Sequence, residues 1–246
     1  MSAVETLAQK YRALRCNHIA THLPEILAQA EANELSYLEL ADRLIDLEIE
    51  GRAKNSVTMN LKKAGFPVVK RLEEFDYRHQ TTITKRQVNA LLDFRFIDER
   101  TNLVFIGPPG VGKTHLAIGI ARKAIAAGYK VLFTTALALV ETLELAEMKG
   151  ELKRKITSLQ KYDALLIDEL GYLPVNRQGL HNLFQLINAL YEFRSVILTT
   201  NKDFTNWGEF FADDNVAVPI VDRLIHHSNV YMLGGESYRL KQKLAN

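Results

Sequence analysis

From position 102 onward, short apolar runs alternate with longer stretches of helical periodicity. The runs at 102–106, 129–134, 163–168, 195–200 and 229–232 have strand length and little polar interruption. Between them, 113–127, 137–147, 151–160, 178–192 and 219–226 carry helical patterns. In the fourth of these, Leu180, Leu183, Phe184, Ile187 and Leu190 make a stripe at helical spacing. Gly128 stands where the first should stop, as a glycine just past a helix end does. Strands alternating with helices predict an α/β fold, a parallel sheet covered on both faces.

Residues 1–75 read instead as a helical N-terminal domain with few β-branched runs. Its clearest helix begins near Ser36, which stands three residues before Glu39 as in a capping box. Leu38, Ala41, Ile45 and Ile49 share one face of that helix, with Leu44 at its edge, and are the expected packing face. Gly65-Phe66-Pro67 breaks the pattern. Residues 76–100 read as a linker and a lead-in helix, the latter from Thr84 to Phe94, and the α/β domain fills 101–246.

Composition narrows the class. At 246 residues with 47% hydrophobic and 24% charged side chains, the chain has the balance of a soluble globular protein. No apolar run approaches membrane-spanning length and no secretory leader is evident, so a cytoplasmic, membrane-free protein is expected. Cys16 is the only cysteine, which excludes a disulfide framework and a cysteine-rich zinc site. The seven histidines form no ligand grouping beyond His226-His227, and adjacent helical residues point about 100° apart. Only a nucleotide-bound Mg²⁺ is expected as metal.

The strongest chemical signal is Gly107-Pro108-Pro109-Gly110-Val111-Gly112-Lys113-Thr114, between the first strand and a helix that continues through His115. A glycine-rich turn there aims backbone N–H groups and the positive end of the helix dipole at one point, where polyphosphate fits. Lys113 can reach the β- and γ-phosphates, and the Thr114 hydroxyl can ligate Mg²⁺. Residues 107–115 are the expected nucleotide contacts.

A second signal follows the apolar run Ala164-Leu165-Leu166-Ile167. Asp168 and Glu169 end that strand at the edge where open α/β sheets bind ligands. Asp168 suits Mg²⁺, opposite Thr114, and Glu169 suits activation of an attacking water. Asn201, after the strand 195–200, suits a γ-phosphate sensor, although a Thr-Thr-Asn strand end also serves as a turn cap. Arg223 lies just before the last strand, where an arginine can complete a neighbouring subunit's site; a surface arginine paired with a nearby carboxylate has the same spacing.

In this order the features resemble the AAA+ ATPases: Walker A at 107–114, Walker B at 164–169, sensor 1 at Asn201 and a box-VII arginine at Arg223. The sequence is similar in particular to the IstB family, ATP-binding helpers encoded beside insertion-sequence transposases. That likeness is carried by Phe105–Ala117, Leu166–Pro174, Asn206–Phe210, Asp222–His227 and Gly235–Leu240. DnaC-type helicase loaders share much of the pattern. After position 232 only 14 residues remain, too few for the helical lid of larger AAA+ proteins, so Arg239 stands in as a sensor-2 candidate. The resemblance implies an ATPase that forms a homo-oligomer on double-stranded DNA and helps its cognate transposase engage a target.

Charge distribution bears on DNA separately, since the net charge is only +2. Residues 31–50 carry seven acidic groups and only Arg43, whereas 52–72 carry Arg52, Lys54, Lys62, Lys63, Lys70 and Arg71 with no acid. A second cluster gathers Lys149, Lys153, Arg154, Lys155 and Lys161 around Glu151. Both clusters are candidate phosphate-backbone contacts, and the acidic-then-basic stretch also suits protein partners. Phe204, Trp207, Phe210 and Phe211 read as core residues after a strand.

Overall fold

The structure, a computed structural model, describes residues 2–171, 176–203 and 214–244. It divides into two compact units, Met1–Met59 and Asn60–Asn246. The division falls 16 positions before the boundary expected at 75, because residues 60–75 belong with the α/β unit. Ala64 accepts the Phe133 amide at 2.7 Å, and the Phe66 ring lies 6.1 Å from that of Phe133.

The first unit is helical. α1 (Ala3–Ala13) opens with a capping box between Ser2 and Glu5, and α2 (Asn17–Ala32) and α3 (Tyr37–Lys63) follow. The Ser36/Glu39 capping box forms as expected, the Glu39 amide reaching Ser36 Oγ at 3.3 Å. Ala8, Ile19, Ala20 and Leu23 make the core, with Val4, Tyr11, Leu27 and Leu44 packed on it. The expected packing face of α3 is not the buried one: Leu38, Ile45 and Ile49 are 81%, 56% and 60% exposed. The buried line holds Glu48 and Gly51, with Leu44 and Leu47 partly covered beside them.

Two polar features explain that choice. The Glu48 carboxylate accepts the His18 and Ile19 amides at 3.0 and 3.1 Å, so it supplies the cap that the Cys16 side chain does not give α2. Gly51 lets the His18 ring lie against the helix, where any Cβ would collide with it.

The second unit leads in through α4 (Lys85–Ala90) and α5 (Arg95–Asp98), a broken version of the single helix expected over 84–94. Phe94, between them, adopts a left-handed φ of 57°. Then come β1 (Asn102–Ile106), α6 (Lys113–Ala126), β2 (Val131–Thr135), α7 (Ala136–Met148), α8 (Leu152–Leu159) and β3 (Ala164–Leu170). They are followed by α9 (Arg177–Leu190), β4 (Ser195–Thr200), α10 (Asp214–His226), β5 (Ser228–Met232) and α11 (Tyr238–Leu244).

The five strands form one parallel sheet in the order β2-β3-β4-β1-β5. β1 is buried throughout and β3 nearly so, which is why both read as near-continuous apolar runs. Leu139, Leu143, Leu180, Leu183, Leu186 and Ile187 of α7 and α9 bury their apolar stripes with Val104, Leu165 and Leu198 of the sheet. Because β1 sits between β4 and β5, the C-terminal ends of β1, β3 and β4 converge, and that end of the sheet carries the site.

Candidate nucleotide site

β1 ends at Ile106 and the chain turns through 107–112 into α6. The turn needs glycine in two ways. Gly112 has φ 97°, and a Cβ there would come within 2.6 Å of the Phe75 ring. Gly110 has φ 85° and faces the side chain of Ser237 where a Cβ would go. Lys113 Nζ folds back onto the turn, donating to the Gly107 carbonyl at 2.7 Å and the Pro108 carbonyl at 2.8 Å. Burial pushes its pKa below that of an ordinary lysine, and Arg239 pushes the same way; Asp168 and Glu169 oppose them without cancelling the shift.

At the end of β3, the Thr114 hydroxyl donates to Asp168 Oδ1 at 2.8 Å. Thr199 Oγ1, on β4, bonds to the same oxygen. Asp168 is 5% exposed, so its carboxylate is held in place before any ligand arrives. Glu169 is exposed, lines the cavity beside the P-loop, and takes a left-handed φ of 63°.

The cavity over the P-loop has a volume of about 430 Å³. Besides P-loop residues 109–115, its lining brings together Glu169, Asn201 and Arg239. Asn201 Oδ1 is buried without a hydrogen-bond partner among the described residues, an orphan acceptor on a residue that lines a site able to receive a proton-donating water. The glycine cradle and a lysine resting on carbonyls fit a nucleoside triphosphate with its Mg²⁺, and the orphan acceptor fits the water that would attack it.

Two walls of the cavity were not legible as such. The stretch expected to be a linker contributes Asp76, His79 and Gln80, and Phe75 just before it joins them. Gln80 is buried, and its side-chain amide donates to the Val111 carbonyl at 3.1 Å and the Gly234 carbonyl at 3.0 Å. His115 also turns to this wall: its Nε2–H donates to the Arg71 carbonyl at 2.7 Å and its ring meets Phe75 edge-on. The second wall is the start of α11, packed against the first through the His79 and Tyr238 rings, and there the Tyr238 amide donates to the Gly110 carbonyl at 3.0 Å. Arg239 is thus on a helix anchored to the P-loop.

Other expected residues lie elsewhere. Arg223 does not line this cavity; it stacks over Phe184 and Tyr191 and donates to Asn188 Oδ1 at 3.1 Å. Lys70, expected at a DNA surface, lines the nucleotide cavity instead. Arg52, Lys54, Arg71 and Arg154 pair with Glu48, Glu50, Glu74 and Glu151. Among the described residues, no ion pair engages Lys62, Lys63, Lys149, Lys153 or Lys155. Lys153 and Arg154 of α8 and Lys161 just after it line a shallow open groove. The aromatics Phe204, Trp207, Phe210 and Phe211 lie outside the described residues. Among the described residues, no group of three metal-ligating side chains forms and no helix is long and apolar enough to cross a membrane.

Comparison with known proteins gives a consistent picture. The family model of IstB-like ATP binding proteins matches residues 9–246. An insertion sequence IS21 ATP-binding protein of Pseudomonas aeruginosa is 42% identical over 94% of this chain and 87% of its own length. An IS5376 ATP-binding protein of Geobacillus stearothermophilus is 42% identical over 87% and 85%. Among solved structures, DnaA of Aquifex aeolicus superposes with a TM-score of 0.56 at 21% identity, covering 71% of this chain and 54% of that one. A DnaC helicase loader gives 0.51 at 22%, covering 61% and 92%. These two likenesses show a shared fold and no more.

Proposed function

Because the chain belongs to the IstB-like ATP-binding proteins of insertion sequences, we propose that it hydrolyses ATP as a homo-oligomer on double-stranded DNA and helps its cognate transposase engage a target. One observation carries the hydrolytic part: Lys113, Glu169 and Asn201 face one cavity, with Asp168 and Thr114 already joined at its floor. Lys113 exchanges the Gly107 and Pro108 carbonyls for phosphate oxygens as ATP binds. Thr114 and Asp168 would hold Mg²⁺, which supplies charge neutralisation of the β- and γ-phosphate oxygens. Glu169 accepts a proton from the water that attacks the γ-phosphorus. The bond from that phosphorus to the bridging oxygen breaks, and ADP leaves. Asn201 holds the attacking water, whose O–H donates to the Oδ1 acceptor that is otherwise orphaned.

Arg223 acts in trans, reaching a neighbouring copy's ATP from the edge formed by α9 and α10, and Arg239 contacts the phosphates from α11. Lys62, Lys63, Lys149, Lys153 and Lys155 meet the DNA backbone, supported by their freedom from carboxylate partners among the described residues. Lysines meeting phosphates give salt-dependent binding with little sequence preference. The setting is the cytoplasm of a cell carrying the insertion sequence.

The test is ATP turnover with and without long duplex DNA at two salt concentrations. Stimulation by duplex that fades at high salt is the expected result. Turnover indifferent to DNA would sink the DNA-assembled reading and turn the search to helicase partners, as for a DnaC-type loader.

A further inference from the structure

The β3–β4 ladder contains an irregularity at the catalytic end. Ile167 pairs with Leu198, but the next pairing is Leu170 with Thr200, so β3 spends one more residue than β4 over the same span. The additional length falls at Asp168-Glu169, and Glu169 takes φ 63°, the left-handed region that a glutamate enters only at a steric cost. Such a conformation persists only where its surroundings impose it.

Thr199 is what imposes it. The residue is 1% exposed, and its hydroxyl both accepts and donates. Oγ1 accepts the Glu169 amide at 3.0 Å and donates to Asp168 Oδ1. Strand alternation would send the side chains of Asp168 and Glu169 to opposite faces. The bulge instead leaves Asp168 buried with Thr114 and presents Glu169 to the cavity.

We infer that Thr199 is a positioning residue for hydrolysis: its hydroxyl clamps the β3 bulge so that Glu169 faces the attacking water while Asp168 faces the metal position. The inference rests on the reading of Glu169 as the base. It concerns a buried side chain at the border of the cavity that acts through Glu169 and lies two positions before the sensor candidate Asn201.

Thr199→Val keeps the branched shape and removes the hydroxyl, and Thr199→Ser keeps the hydroxyl. In Thr199→Val, kcat should fall about 10- to 100-fold while the KM for ATP moves less than about threefold, since general-base positioning carries rate rather than ground-state binding. Thr199→Ser should stay within about threefold of the parent. A readout independent of turnover is amide exchange at Glu169 in the nucleotide-free protein. It should be slow in the parent and Thr199→Ser, and at least about tenfold faster in Thr199→Val.

In a Glu169→Gln background, Thr199→Val should cost little further turnover, because both changes disable one unit. A full additive loss there, parental kcat in Thr199→Val, or unchanged exchange at Glu169 would each overturn the inference. Parental hydrolysis in Glu169→Gln alone would instead remove the base assignment, with the exchange experiment still judging the clamp.

Discussion

Thr114 and Asp168, 54 residues apart in the chain, meet in a 2.8 Å hydrogen bond that ties the first turn of α6 to the end of β3. The bond holds two metal-ligand candidates at contact distance and spares them a conformational search when Mg²⁺ arrives. In Asp168→Asn the charge is lost but the geometry can persist. Nucleotide affinity measured in EDTA should change less than about threefold, while the gain in affinity on adding Mg²⁺ should shrink by about tenfold or more. Titration of a fluorescent ATP analogue with and without metal reads both numbers. A full Mg²⁺ gain in the variant would remove Asp168 from the metal site.

Lys113 gives a prediction in pH. Burial lowers its pKa from the ordinary 10.5, so its ammonium deprotonates at a lower pH than a solvent lysine. Affinity for ATP should therefore be full at neutral pH and decline through the alkaline range before ordinary lysines titrate. Lys113→Ala should weaken ATP binding about 10- to 100-fold at neutral pH and flatten that alkaline decline. Isothermal titration at neutral and alkaline pH tests this, and an unchanged alkaline decline in the variant would assign it to another group.

The sheet and the P-loop were legible because their signals are local. β1 and β4 match their apolar runs, and the strand–glycine turn–helix sequence marks the nucleotide site before any contact is known. Three features resisted for physical reasons. α10 begins at Asp214 rather than 219, since Pro219 reads as a helix start yet lies inside the helix, its carbonyl receiving Arg223 at 3.1 Å. α3 buries a glutamate and a glycine, which a count of apolar positions cannot select. The wall formed by Phe75 and Gln80 depends on contacts with Gly112, Val111 and Gly234, far away in sequence and carrying no local period.

Glu48 shows how such a buried charge stabilises the helical unit. Burial raises its pKa, but Arg52 and the amides of Ile19 and His18 outweigh that and hold it below the ordinary glutamate value. Its folded pKa is depressed, so the stability it contributes is fully present above about pH 4.5 and is lost as pH falls through the folded value. Glu48→Ala leaves the α2 amides and Arg52 without their acceptor. About 1–3 kcal/mol of stability should disappear at neutral pH, and the variant should lose less on acidification than the parent. Urea unfolding of the full chain at neutral and acidic pH, followed by helical circular dichroism, checks both. Equal acid sensitivity in the two proteins would rule out this role.

Arg223 is held in its own copy by Asn188, Phe184 and Tyr191, so its substitution has a structural cost as well as a catalytic one. Exposed cation–π contacts contribute about 0.5–1 kcal/mol, small beside the 10³–10⁵ in turnover that a trans arginine can supply. Arg223→Ala should therefore unfold close to the parental temperature and bind ATP normally, with turnover reduced at least about 100-fold. Mixing separates a trans role from a cis one. Lys113→Ala subunits bind ATP poorly but keep Arg223, and Arg223→Ala subunits keep a complete P-loop. Each alone should be nearly inactive. In a mixed oligomer, an Arg223→Ala subunit beside a Lys113→Ala neighbour regains every group the reaction needs, and turnover should recover to a sizeable fraction of the parent. Absence of recovery in mixtures proven to co-assemble would confine Arg223 to packing against α9.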